Sequence, residues 1–204
     1  VLAGAQALRQ GPPLASEVDL GAMTMTRQLE IIQALVDDAV AKGARVVLGG
    51  QPRRDLPGNY YPPTILVDVD HTMRITQEEQ FGPVVPVTPF EDIETALDYV
   101  ITSEHGQQVS IFSEDPDTIG RLVDPLVNQV CRVNINCQCQ RGPDVFPFTG
   151  RKDSAEGTLS VTDALRSFSI RSMIAAKQTD DSKRLLDEIV RDHKSNFINT
   201  GFIL

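Results

Sequence analysis

Glu78-Glu79-Gln80-Phe81-Gly82-Pro83-Val84 is the stretch from which the rest of the chain unfolds. One of two readings makes the adjacent carboxylates before Phe-Gly-Pro no more than a charged helix end running into a turn and then a strand, because glycine and proline punctuate regular structure. The strand is expected from Val84 to Phe90. Beyond it, Ile93, Ala96, Leu97, Val100 and Ile101 form a stripe at helical spacing. Upstream, Leu29, Ile32, Leu35, Val36, Ala39 and Val40 mark a helix from Thr26 to Lys42 that Gly43 stops, and Arg45 to Leu48 reads as a buried strand. Downstream, Val109 to Phe112 is a further strand. Asp115-Pro116 has the capping chemistry of a helix start, with the helix running to about Leu126 before a strand at Val130 to Asn136. This alternation predicts an α/β fold built on an open, mainly parallel sheet with helices on both faces.

Composition narrows the class. With 41% apolar residues in 204, the chain is long enough for a domain with a substantial core. No apolar run approaches the length of a bilayer-spanning helix. A net charge of −9 argues against nucleic-acid binding, which needs a basic footprint. Cys131, Cys137 and Cys139 are an odd number with no scattered framework, which points to a reducing compartment. No second Cys or His cluster stands near them, so a metal site is not expected, and Cys137 or Cys139 is better read as lining a cavity. His71, His105 and His193 are isolated in polar contexts and are assigned no role.

An ionised carboxylate is acceptor-only and can take hydrogen bonds from two neighbouring hydroxyls at once, while an aromatic ring two residues on offers an apolar wall to a planar group. Glu79 and Phe81 stand in that relation. Their run resembles the E-E-x-F-G-P-[VL] signature of the aldehyde dehydrogenase superfamily. The resemblance implies that Glu79 binds the nicotinamide-ribose hydroxyls and that Phe81 packs beside the nicotinamide ring. The order of shorter words is similar to the C-terminal part of that family from Ala7 to about Lys177. They include Gly11-Pro12-Pro13, Asp19-Leu20-Gly21, Leu48-Gly49-Gly50, Tyr61-Pro62-Pro63-Thr64-Ile65, Pro147-Phe148-Thr149-Gly150 and Lys152-Asp153-Ser154.

Val133 to Phe148 is similar to the non-phosphorylating glyceraldehyde-3-phosphate dehydrogenases, through Arg141-Gly142-Pro143-Asp144-Val145-Phe146-Pro147-Phe148. That resemblance implies substrate-phosphate binding by Arg141, whose planar guanidinium suits bidentate contacts, with Cys137 and Phe148 beside it. It further implies an NAD(P) cofactor, NADP being favoured, and a phosphorylated aldehyde, glyceraldehyde 3-phosphate, oxidised to the acid. An unphosphorylated aldehyde and an inactive assembly module are the alternatives.

By the same resemblance the nucleophilic cysteine and the general-base glutamate are expected upstream of Val1, with most of the dinucleotide-binding domain. The chain is therefore expected to be the C-terminal portion of a longer protein, inactive alone and without catalytic residues of its own. Residues 1–150 are assigned to the catalytic domain and 151–177 to a return to the cofactor domain. Within the latter, Phe168 to Ala176 alternates as a strand that pairs with a neighbouring subunit of a dimer or tetramer. Residues 178–204 are a helical extension, amphipathic from Asp181 to Lys194 through Leu185, Leu186, Ile189 and Val190. A cytoplasmic location is expected. The family's Ser-Gly-x-Gly after the lysine is Ser154-Ala155-Glu156-Gly157 here, which puts a tight backbone approach at residue 155 in doubt.

Overall fold

A computed structural model describes residues 1–12, 14–170 and 172–198. Pro13 of the Gly-Pro-Pro word, Arg171 of the alternating stretch and the last residues of the tail, 199–204, lie outside them. The helices are α1 (Leu2–Ala7), α2 (Thr26–Ala41), α3 (Ile93–Thr102), α4 (Pro116–Leu126), α5 (Val161–Ser167) and α6 (Asp180–Arg191). The strands are β1 (Arg45–Leu48), β2 (Thr64–Val67), β3 (Val84–Pro86), β4 (His105–Gly106), β5 (Gln108–Ile111), β6 (Arg132–Ile135) and β7 (Arg151–Lys152). The architecture is α/β with open sheets. β2–β3 and β5–β6 are parallel pairs, and β1 and β7 add antiparallel edges to β2 and β4.

The apolar stripe of α2 buries Ile32, Leu35, Val36 and Ala39 against Tyr61, Leu66, Met73 and Val84. Its end is a Schellman closure: the Ala44 amide donates to Ala39 O at 2.9 Å and the Gly43 amide to Val40 O at 3.1 Å, with Gly43 at φ 111°. Asp92 caps α3 by accepting the Glu94 amide, and Asp115 caps α4 by accepting the amides of Asp117 and Thr118, with Pro116 in the first turn. Lys152 closes the other end of α3, its Nζ donating to the carbonyls of Val100, Ile101 and Ser103 at 2.7–2.9 Å.

Several expectations are corrected. β1 is an exposed edge strand, not a buried one, because only β2 pairs with it. The strand expected over Val84 to Phe90 is regular only to Pro86, since Pro86 and Pro89 have no amide to donate to a ladder. Thr64–Val67, unassigned from sequence, is the buried central strand of its sheet. Before Phe81, where one reading of the sequence allowed a helix end, the structure has one 3-10 turn, Arg74–Thr76. The tight approach doubted at residue 155 is present, with glycine on the opposite side: a Cβ on Gly150 would lie 2.9 Å from Ala155 N.

Among the described residues, 168–176 form no strand within the chain, and Phe168 and Ile170 are 93% and 96% exposed. The tail helix is as expected, within one residue at its start and three at its end, and buries none of its residues. No helix of the described residues is long and apolar enough to cross a membrane.

Candidate functional site

The turn after the 3-10 segment separates two neighbouring glutamates. Glu78 is taken up by Arg74, whose Nε and Nη2 donate to its carboxylate at 2.7 and 3.0 Å and hold it below the usual carboxylate range. Among the described residues Glu79 has no ion pair and no side-chain hydrogen bond, so its oxygens remain open to a ligand's hydroxyls. Phe81 follows at φ 42°, a left-handed conformation uncommon for an aromatic residue, and is 72% exposed. Gln80 builds this turn: its Oε1 accepts the Gly82 amide at 2.6 Å and its Nε2 donates to Val84 O at 3.1 Å. Gln28 of α2 donates to Gln80 O at 2.6 Å.

Glycine is required next, because a Cβ on Gly82 would meet Ile32 Cδ1 at 2.3 Å. The loop thus packs closely on α2 at Gly82, next to the exposed Phe81. A free carboxylate beside an outward aromatic face suits a ribose carrying a planar base, so these residues fit the nicotinamide end of a dinucleotide.

Glu79 forms one wall of a cleft of about 590 Å³, facing Tyr99 and Ser103 of the α3 end and Gln108 of β5. Cys139 lines the same cleft, its Sγ 3.3 Å from Ser110 Oγ. Cys137 is exposed and is not among the residues lining the cavities described. His105, to which the sequence gave no role, also lines the cleft, as does Tyr99; neither stands in a motif that could have announced it.

Two residues beyond Cys139, Arg141 borders a second cavity of about 260 Å³ with Asp144, Phe146 and Phe148. Its guanidinium carbon sits 5.3 Å from the centre of the Phe148 ring, within the range of a cation–π contact, and it has no ion pair among the described residues. The structure thus brings Arg141 and Phe148 together. The loop from Cys139 to Arg141 links their cavity to the cleft that holds Glu79. No group of three or more His, Cys, Asp or Glu among the described residues could hold a metal ion.

Residues 1–174 match the model of the aldehyde dehydrogenase family. The chain belongs to the aldehyde dehydrogenase family. It is 39% identical over 158 residues to a vanillin dehydrogenase of Pseudomonas fluorescens, covering 75% of this chain and 30% of the relative. It is 32% identical over 161 residues to an NADP-dependent glyceraldehyde-3-phosphate dehydrogenase of Streptococcus equinus, covering 79% and 32%. Among solved structures, the NADP-dependent glyceraldehyde-3-phosphate dehydrogenase of Bacillus halodurans, complexed with NADP, matches with a TM-score of 0.73 at 34% identity over 80% of this chain and 33% of that one. The chain spans about 30% of the length of the curated relatives it matches. This aldehyde dehydrogenase chain therefore has relatives named for chemically different aldehydes.

Proposed function

We propose that these residues are the cofactor-end and substrate-end portion of an NAD(P)-dependent aldehyde dehydrogenase that oxidises a phosphorylated aldehyde, glyceraldehyde 3-phosphate, to its carboxylic acid. The observation that carries the cofactor half is the contrast between Glu78, consumed by Arg74, and Glu79, left open on the turn that exposes Phe81. Bound there, a nicotinamide dinucleotide would supply the hydride acceptor. Glu79 orients it by accepting from two ribose hydroxyls, and Phe81 keeps water from one side of the planar ring.

Arg141 supports the substrate half. It is an arginine with no carboxylate partner among the described residues, held over an aromatic ring at the rim of a small cavity. A dianionic phosphate accepts two parallel N–H bonds from such a group. The nucleophilic cysteine and the general base are proposed to come from outside residues 1–204, so these residues alone should turn over no aldehyde. The exposed run at Phe168 and Ile170 is proposed to pair with a second copy in a homo-oligomer.

The test of the cofactor half is Glu79→Ala in the active enzyme that carries this chain. Hydride transfer should slow by about a hundredfold, since small displacements of reacting groups cost on that order. Unchanged hydride transfer and cofactor affinity would reduce Glu79 to a solvated turn residue.

A further inference from the structure

Arg132 opens β6, half-buried, and none of its nitrogens meets a carboxylate among the described residues. Its Nη1 donates instead to two backbone carbonyls, Gln140 O at 3.1 Å and Gly142 O at 2.9 Å. These are the carbonyls on either side of Arg141. Such bonds are charge-assisted and stronger than neutral ones, and together they pin the peptide units that frame residue 141.

The approach to the loop is tied to the same pair of strands. The Gln140 amide donates to Gln108 Oε1 at 3.2 Å, and the Nδ2 of Asn134, which is 3% exposed, donates to the same oxygen at 3.3 Å and to Val109 O at 3.1 Å. The segment around Arg141 has no regular secondary structure of its own. Without these ties its backbone would sample many conformations, and a ligand would have to order it on binding.

We propose that Arg132 is a positioning residue for Arg141: by bridging the carbonyls of Gln140 and Gly142 it holds the Arg141 guanidinium over Phe148, ready for the anionic end of the substrate. The inference rests on Arg141 being the phosphate-binding arginine. Arg132 itself touches no substrate. Its contribution is that Arg141 is ordered before the substrate arrives, which appears chiefly in KM for the phosphorylated aldehyde.

The experiment is a double-mutant cycle in the active enzyme that carries this chain, using Arg132→Met, Arg141→Ala and the pair, read as kcat/KM for glyceraldehyde 3-phosphate with melting temperature in parallel. Arg132→Met alone should lower kcat/KM roughly tenfold through a raised KM, the scale of a lost charge-assisted hydrogen bond. In the Arg141→Ala background it should cost less than about twofold, because residues that act through one another are not additive. Arg132→Lys, which keeps the charge and a nitrogen with several donors, should recover part of the loss. If Arg132→Met unfolds the enzyme, the lysine variant carries the same cycle with a smaller first step.

A full multiplicative loss in the double mutant, with Arg141→Ala effective on its own, would overturn the positioning role while leaving the phosphate reading intact. An Arg141→Ala variant with unaltered kinetics would remove the phosphate reading and the positioning role together. The two failures are therefore distinguishable.

Discussion

The Gln80 side chain and the Gly82 amide are joined at 2.6 Å, and this bond closes the turn on which Phe81 stands outward. A non-glycine residue at φ 42° costs about 1–3 kcal/mol, and the turn persists because Gln80 bonds Gly82 and Val84 while Gln28 holds its carbonyl. Each such bond contributes about 1 kcal/mol net. Gln80→Ala removes the two side-chain bonds, so Phe81 should relax from its left-handed conformation. Cofactor affinity, followed by quenching or enhancement of NAD(P)H fluorescence, should fall about tenfold while the melting temperature changes little. Unaltered affinity would mean that the turn does not set the cofactor face.

Gly82 faces the fully buried Ile32 of α2, and a methyl group there would sit 2.3 and 2.9 Å from Ile32 Cδ1 and Cγ1. Gly82→Ala should destabilise by about 1–3 kcal/mol, as overpacking of a close-packed core does. Denaturant unfolding measures it. Pairing the change with Ile32→Val, which removes the clashing Cδ1, should recover part of the loss.

Tyr61 is buried, and burial, with a smaller contribution from the Asp37 charge, pushes its phenol from 10.0 up to about 12. The folded state therefore holds this proton more tightly than the unfolded chain does. The stability this contributes is fully present below pH 10 and is lost as pH rises through 12, by roughly 2–3 kcal/mol at one pKa unit per 1.36 kcal/mol. Tyr61→Phe loses the bond from Tyr61 Oη to Gln33 Oε1 at 3.2 Å, and its unfolding free energy should decline less steeply between pH 10 and 12 than that of the native chain. Parallel slopes would show that other groups carry the alkaline instability.

Arg141→Ala should lower kcat/KM for glyceraldehyde 3-phosphate by about ten- to a hundredfold, the value of a charge-assisted contact at 1.5–3 kcal/mol. An aldehyde of similar size without phosphate should lose far less. Arg141→Lys should restore only part, because it keeps the charge without the planar fork. An equal loss on both aldehydes would make Arg141 a loop residue and turn the search to unphosphorylated substrates.

The elements legible from sequence are those whose cause is local. The stripes of α2 and α3, the Gly43 stop, the Asp115-Pro116 start and the tail helix lie within a residue or a few of their expected bounds, because capping and helical periodicity are written in neighbouring residues. The Glu78-to-Val84 and Arg141-to-Phe148 words supplied the candidate residues Glu79, Phe81 and Arg141, whose roles are the proposal made above. What failed was whatever depends on partners. β1 has the apolar run of a buried strand yet lies at an edge, and Thr64–Val67 follows Tyr-Pro-Pro yet becomes the centre of its sheet. No spacing rule assigns a strand its neighbours.

The sequence by itself determined which residue types were available: two adjacent glutamates, an aromatic ring before glycine and proline, and an arginine in a glycine-proline loop. The pairing of Glu78 is itself local, since Arg74 lies four residues before it; only the tertiary structure decided that the unpaired Glu79 lines a cleft with Tyr99, Ser103 and Gln108. It also decided that Arg132 meets the carbonyls beside Arg141. The reason is physical: a side chain's partner is chosen by where folding places the acceptor. For Arg132 those acceptors lie eight and ten residues further along a loop whose path no local propensity dictates.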